Sequence, residues 1–212
     1  MKLIVSCCEL GMHPTNCYVV SDMVQGKSLV IDPAVCDGTL VQALKKLDIE
    51  RLDYILLTHG HYDHILGVDT LRDKFGGKIV IHADEQAFLT DPSLSLAHGH
   101  FGHTHIKHSA DIVVHDGDIL PFGAGEIKVL HTPGHTRGSV CYMIDDFLFC
   151  GDTIFRESIG RTDLPTGDMA QMSASVKRIA ALPGNYKLFP GHGEASTLSH
   201  ERMNNPYLFF SL

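Results

Sequence analysis

The 212 residues carry 17 Lys and Arg against 25 Asp and Glu, a net charge of −8, and 44% of them are hydrophobic. That balance describes an ordinary globular chain able to bury a core. It disfavours a nucleic-acid backbone as the main partner, which calls for a basic face. No apolar run approaches the ~18–20 residues needed to span a bilayer, so no membrane partner is expected.

The first nine residues break their apolar run at Glu9 and continue into strand-like sequence, unlike a signal peptide. Strands are predicted over residues 2–8, 15–21 and 27–31, separated by Gly-, Pro- and Asn-bearing turns. Asp37 reads as the N-cap of a helix reaching residue 47, with Leu40, Ala43, Leu44 and Leu47 on one face. A strand over 52–57 leads into a polar loop. A helix is then predicted over 65–75, stopped by Gly76-Gly77, followed by a strand over 78–82 and a short helix from Asp84.

Residues 91–109 lack periodicity and hold His98, His100, His103, His105 and His108. They read as an exposed loop with solvated histidines, long enough to serve as a lid. From residue 112 the pattern is largely β: strands over 112–115, 126–131, 139–144 and 147–150, a helix over 168–181, and a short strand over 187–189. Strands followed by helices in each half suggest two facing sheets with helices outside, and residues 1–212 are predicted to form one domain. The six cysteines form no CxxC pair and mostly sit in apolar strands, which fits a reduced, cytoplasmic setting. The apolar tail Tyr207-Leu208-Phe209-Phe210 has two readings, packing on the core or on a neighbouring subunit of a homo-oligomer.

The densest chemistry lies in Thr58-His59-Gly60-His61-Tyr62-Asp63-His64, directly behind the buried-strand pattern Tyr54-Ile55-Leu56-Leu57. Helical residues two apart point to nearly opposite sides, so His59 and His61 can share an ion only from an extended or looped segment. Asp63 and His64 can then turn toward a second point. Ligand types and spacing match metal chemistry. Three further ligand types follow later strands, each flanked by glycine: His135 in Pro133-Gly134-His135, Asp152 in Gly151-Asp152, and His192 in Gly191-His192-Gly193.

Together these residues resemble the metallo-β-lactamase-fold hydrolases, from Asn16-Cys17-Tyr18 and Ile31-Asp32-Pro33 to Asn205-Pro206-Tyr207. The resemblance implies an α+β, four-layer αββα sandwich: two mixed β-sheets with helices outside and metals at one edge. It also implies that His59, His61 and His135 hold one metal, that Asp63, His64 and His192 hold a second, and that Asp152 bridges them. Imidazoles and carboxylates suit two divalent ions, zinc first, with iron or manganese as alternatives. Two such ions can share a hydroxide nucleophile at neutral pH and polarise a carbonyl, with Asp63 as the catalytic carboxylate that helps orient the nucleophile.

Within that superfamily, the stretch from Gly151 to Arg161 is similar to the matching segment of glyoxalase II, the hydroxyacylglutathione hydrolases. That likeness implies a small-molecule thioester substrate, with Arg161 contacting its anionic part; the competing reading pairs Arg161 with Asp163. The chain is expected to resemble the short, single-domain members, which lack a C-terminal helical domain. Around Gly160-Arg161-Thr162-Asp163 it also resembles the mononuclear-iron persulfide dioxygenases, which would use His59, His135 and Asp152. Lactone hydrolysis and a non-catalytic metal-binding module are the remaining alternatives.

Overall fold

The computed structural model describes residues 2–97 and 106–209. Strands β1 (Leu3–Leu10), β2 (Thr15–Asp22) and β3 (Lys27–Ile31) form an antiparallel meander. Helix α1 (Gly38–Lys46) crosses to β4 (Tyr54–Leu56), which lies parallel to β3. The short helix α2 (Tyr62–Ile65) and α3 (Val68–Phe75) cross to β5 (Lys78–His82), and a 3-10 helix (Ala83–Leu89) precedes β6 (Ile112–Val114). These six strands make the first sheet in sequential order.

The second sheet holds β7 (Ile119–Phe122), β8 (Gly125–His131), β9 (Val140–Ile144) and β10 (Phe147–Gly151) as antiparallel neighbours. A ribbon of β11 (Ile154–Phe155) and β12 (Ser158–Ile159) and the helix α4 (Met169–Ala180) follow. Strand β13 (Lys187–Pro190) then inserts parallel to β10, and β14 (Ser196–Thr197) closes the edge before α5 (Leu198–Asn204) and α6 (Pro206–Phe209).

Side-chain alternation sorts these strands into layers. Tyr18, Val20, Leu29, Ile31, Leu56 and Val80 of the first sheet meet Ile127, Val129, Tyr142, Phe149 and Phe189 of the second. The opposite face of the first sheet, with Val19, Val30, Ile55 and Ile81, packs on Leu40, Leu44, Val68 and Leu71 of its helices. The opposite face of the second, with Cys141, Leu148 and Leu188, packs on Met172, Val176 and Ile179 of α4 and Leu198 of α5. The result is the expected αββα sandwich, with each sheet buried on both faces.

The Asp37 cap is present: its carboxylate accepts from the backbone N–H groups of Thr39 and Leu40. The helix predicted over 65–75 is instead two helices, broken at Leu66-Gly67. The cause is tertiary. A Cβ on Gly67 would stand 2.3 Å from the carbonyl oxygen of Pro33, and the Gly67 N–H donates to that same oxygen at 2.7 Å. This contact ties the end of α2 to the loop after β3. Strands β7 and β14 and the ribbon β11–β12 are additions to the predicted elements, all too short or too polar to announce themselves by periodicity. All six cysteines are free. No helix among the described residues is long and apolar enough to cross a membrane.

Candidate metal centre

The seven predicted ligands converge where the two sheets open at one edge. His59 and His61 leave β4, and His61, with extended backbone, caps the helical turn α2 that carries Asp63 and His64. His135 follows β8, Asp152 follows β10, and His192 follows β13. Three overlapping groups result: His59, His61 and His135; His59, His64 and Asp152; Asp63, His64 and His192. Within each group the ligand atoms lie within 4.8 Å of one another. The extended segment does what its spacing predicts, because the His59 and His61 rings meet at 4.8 Å.

Hydrogen bonds on the far nitrogens fix how the rings face. The Thr58 hydroxyl donates to Asp32 at 2.6 Å, so its oxygen accepts from His59 Nδ1 at 3.1 Å. His64 Nδ1 donates to the same Asp32 carboxylate at 3.0 Å. His135 Nδ1 donates to the Arg161 carbonyl and His192 Nδ1 to the Pro14 carbonyl, each at 2.8 Å. In all four rings Nε2 is the nitrogen turned inward, the orientation that metal-binding imidazoles require. His61 presents Nδ1, 2.9 Å from His135 Nε2.

Asp152 faces both sides. Its Oδ1 lies 3.6 Å from His64 Nε2, and its Oδ2 lies 3.4 Å from His135 Nε2 and 3.6 Å from His192 Nε2. Two bonds of about 2.0–2.1 Å meeting at a tetrahedral angle separate their donors by about 3.4 Å, so these spacings suit ligands of a shared ion. The buried atoms His59 Nε2, His61 Nε2, His64 Nε2 and Asp152 Oδ1 have no hydrogen-bond partner. Orphaned polar atoms in a core are costly, and the three on His59, His64 and Asp152, which belong to one group of converging ligands, are explained by cations.

Charge follows the same logic. Burial, reinforced by the neighbouring imidazoles, pushes His59 well below the ordinary histidine range, and it takes His61 down to about 3. Both rings are neutral donors at pH 7. Burial also opposes charge on His64, but Asp63, Asp152 and Asp32 outweigh it and push that ring up to about 10. Burial raises Asp63, yet His64 and His192 hold it below the usual carboxylate range.

Several residues that the sequence marked only through the family resemblance or as glycine beside a ligand take supporting roles here. Asp32, at φ 50°, accepts from both the N–H and the hydroxyl of Thr58 as well as from His64. Asn16 donates to the Pro190 and Gly193 carbonyls, and Tyr18 donates to Pro190, so β2 grips the loop that carries His192. Gly191 is a steric necessity, because a Cβ there would stand 2.2 Å from Asp152 Oδ1.

Five of the seven, His61, Asp63, His135, Asp152 and His192, line a cleft of about 730 Å³ whose walls include Tyr62, Leu96, Phe155, Ile159 and Leu164. Arg161 also lines it, but its guanidinium is bidentate on Asp163 at 2.7 and 2.8 Å. Of the loop histidines, His98, His100, His103 and His105 lie outside the described residues; His108 bonds Asp73 of α3 at 3.0 Å.

The model of the metallo-beta-lactamase superfamily matches residues 10–192 of this sequence. The chain belongs to that superfamily. It is a metallo-hydrolase type, 32% identical to the hydroxyacylglutathione hydrolase GloC of Haemophilus influenzae over 91% of this chain and 92% of that protein. Among solved structures it is similar to BLEG-1, described as a B3 metallo-beta-lactamase (35% identity, TM-score 0.86, 97% of this chain and 99% of that one). It is also similar to TTHA1623 in a di-iron-bound form (31% identity, TM-score 0.83, 96% and 100%).

Proposed function

We propose that this member of the superfamily is a dinuclear-metal thioester hydrolase of the glyoxalase II kind. In this reading His59, His61 and His135 hold one ion, Asp63, His64 and His192 hold the other, and Asp152 spans both. The observation that carries it is the convergence of buried, partnerless His59 Nε2, His64 Nε2 and Asp152 Oδ1 beside a cleft that His61, Asp63, His135, Asp152 and His192 line. Two divalent ions in this donor set supply Lewis acidity and a water activated near neutral pH, so neither Ser nor Cys is needed as nucleophile. Zinc suits the all-N,O ligands, and iron is the alternative that the di-iron form of TTHA1623 supports.

The chain's own residues then divide the work. Asp63 Oδ2, 3.4 Å from both His192 Nε2 and Thr15 Oγ1, stays ionised and orients the attacking water by accepting a hydrogen bond from it. Tyr62, Leu96, Phe155, Ile159 and Leu164 shield apolar parts of the substrate from water. Arg161 meets an anionic end of the thiol carrier, on condition that it exchanges Asp163 for the substrate. Six free cysteines fit a reducing, cytoplasmic setting.

A second reading, lactam hydrolysis, is favoured by the likeness to BLEG-1. The deciding experiment loads the chain with zinc and compares turnover of S-lactoylglutathione, other thioesters and β-lactams. Thioester turnover lost on chelation and restored by zinc is expected. Lactam turnover without any on thioesters would replace the first reading with the second.

A further inference from the structure

Glu85, on the 3-10 helix, is fully buried. Its Oε2 accepts from the Gly60 N–H at 2.8 Å, and its Oε1 accepts from the Gly138 N–H at 2.9 Å. Gly60 sits between His59 and His61, and Gly138 ends the turn that begins at His135. A single carboxylate therefore joins the two segments that carry all three ligands of the first group.

The fit around it is closed. A Cβ on Gly138 would stand 2.7 Å from Glu85 Cγ, and one on Gly60 would stand 2.3 Å from the Cβ of Phe88, on the same 3-10 helix. Arg137, beside Gly138, donates from Nε to the Asp84 carbonyl at 3.0 Å and places its guanidinium 5.8 Å above the Phe88 ring. Burial pushes the Glu85 carboxyl up to about 7, against the backbone N–H of Gly60 and the Thr136 hydroxyl. A buried acid held against such a desolvation cost needs a compensating task. The second group leans on other supports: Asp32 for His64, and the Pro14 carbonyl for His192.

We propose that Glu85 is a positioning residue for the first metal, a bolt that sets the His59–His61 segment against the His135 turn. The proposal rests on the metal assignment above and not on the substrate. It predicts an asymmetric defect. In Glu85→Gln one of the two N–H groups faces an amide NH₂ and loses its acceptor, so the first group loosens while the second keeps its own anchors.

The test is zinc affinity by chelator competition in the full chain. Glu85→Gln is placed in two backgrounds: His192→Ala, where only the first group is complete, and His135→Ala, where only the second is. A loss of about 10–100-fold is expected in the first background, the range typical of disturbed outer partners, and less than about twofold in the second. Equal losses in both, or none in either, would overturn the proposal and leave Glu85 a structural acid. Gly138→Ala, which displaces the carboxylate without removing it, should reproduce the asymmetry if Glu85→Gln fails to fold. A parent chain that binds no zinc would overturn the metal assignment and this proposal together. Failure to hydrolyse any thioester would overturn only the substrate reading.

Discussion

Two histidine-rich groups occupy neighbouring parts of this molecule, and they behave oppositely. At the end of β5, His82 stacks on His131 at 4.2 Å with nearly parallel rings, with His115 and Asp84 close by. His82, Asp84 and His131 also satisfy the distance test for a metal group. Yet His82 Nδ1 already accepts the Asp84 N–H at 3.3 Å, and His131 Nε2 already donates to the Arg137 carbonyl at 3.0 Å. Parallel stacked rings also aim their in-plane lone pairs alongside one another. In the candidate centre, by contrast, the His59, His61 and His135 rings meet edge to face, and the inward Nε2 of His59 and of His64 lacks a hydrogen-bond partner. Crowded imidazoles do not make a site; convergent imidazoles with unsatisfied nitrogens do.

The sharpest way to break this comparison is Asp152→Ala. It removes the carboxylate shared by both groups, and kcat/KM for the thioester should fall on the order of a hundredfold or more, with fewer than two zinc ions retained per chain. Full activity with two ions bound would show that Asp152 bridges nothing. Asp32→Asn should come next, weakening zinc binding by roughly 10–100-fold in chelator competition, because the His64 ring loses its carboxylate acceptor.

Arg161→Ala should raise KM for an anionic thioester about two- to fivefold and leave kcat nearly unchanged, since the exposed guanidinium gives up one carboxylate to gain another. An unchanged KM would leave Arg161 only its backbone role on His135. His131→Asn should alter zinc content not at all and activity by less than about twofold, since its ring nitrogen serves a backbone carbonyl. A lost ion in that variant would make the stacked pair a metal site after all.

The stacked pair has its own signature in pH. Burial, with His131 beside it, takes His82 down to about 4, below its unfolded value. The unfolded chain therefore binds the extra proton between roughly pH 6.5 and 4, so this contribution to stability is present above that window and is lost as pH falls through it. Melting temperature should drop more steeply over this range in the parent chain than in His82→Gln. Parallel profiles would show that the stack does not titrate with folding.

The seven candidate ligands were legible in the sequence because each lies on a segment that follows a strand-forming run. Strand ends at a sheet edge bring such residues together whatever the loops between them do. The layered architecture was legible for a related reason: alternating and continuous apolar runs state which faces must be buried. Local rules failed at Leu66-Gly67, where helical periodicity runs on but the approach of Pro33 breaks the helix. Arg161 was open in the sequence between a substrate anion and Asp163, and only its placement reveals the bidentate pair and the carbonyl turned to His135.

Glu85 is the extreme case. In sequence it is one acid in a short polar segment; in space it receives N–H groups from residues 25 and 53 positions away. The sequence by itself determined which donors this protein owns and which strands deliver them. Tertiary structure alone decided which nitrogens would be left without a partner, because hydrogen-bond satisfaction belongs to the packed neighbourhood and is written in no single segment of the chain.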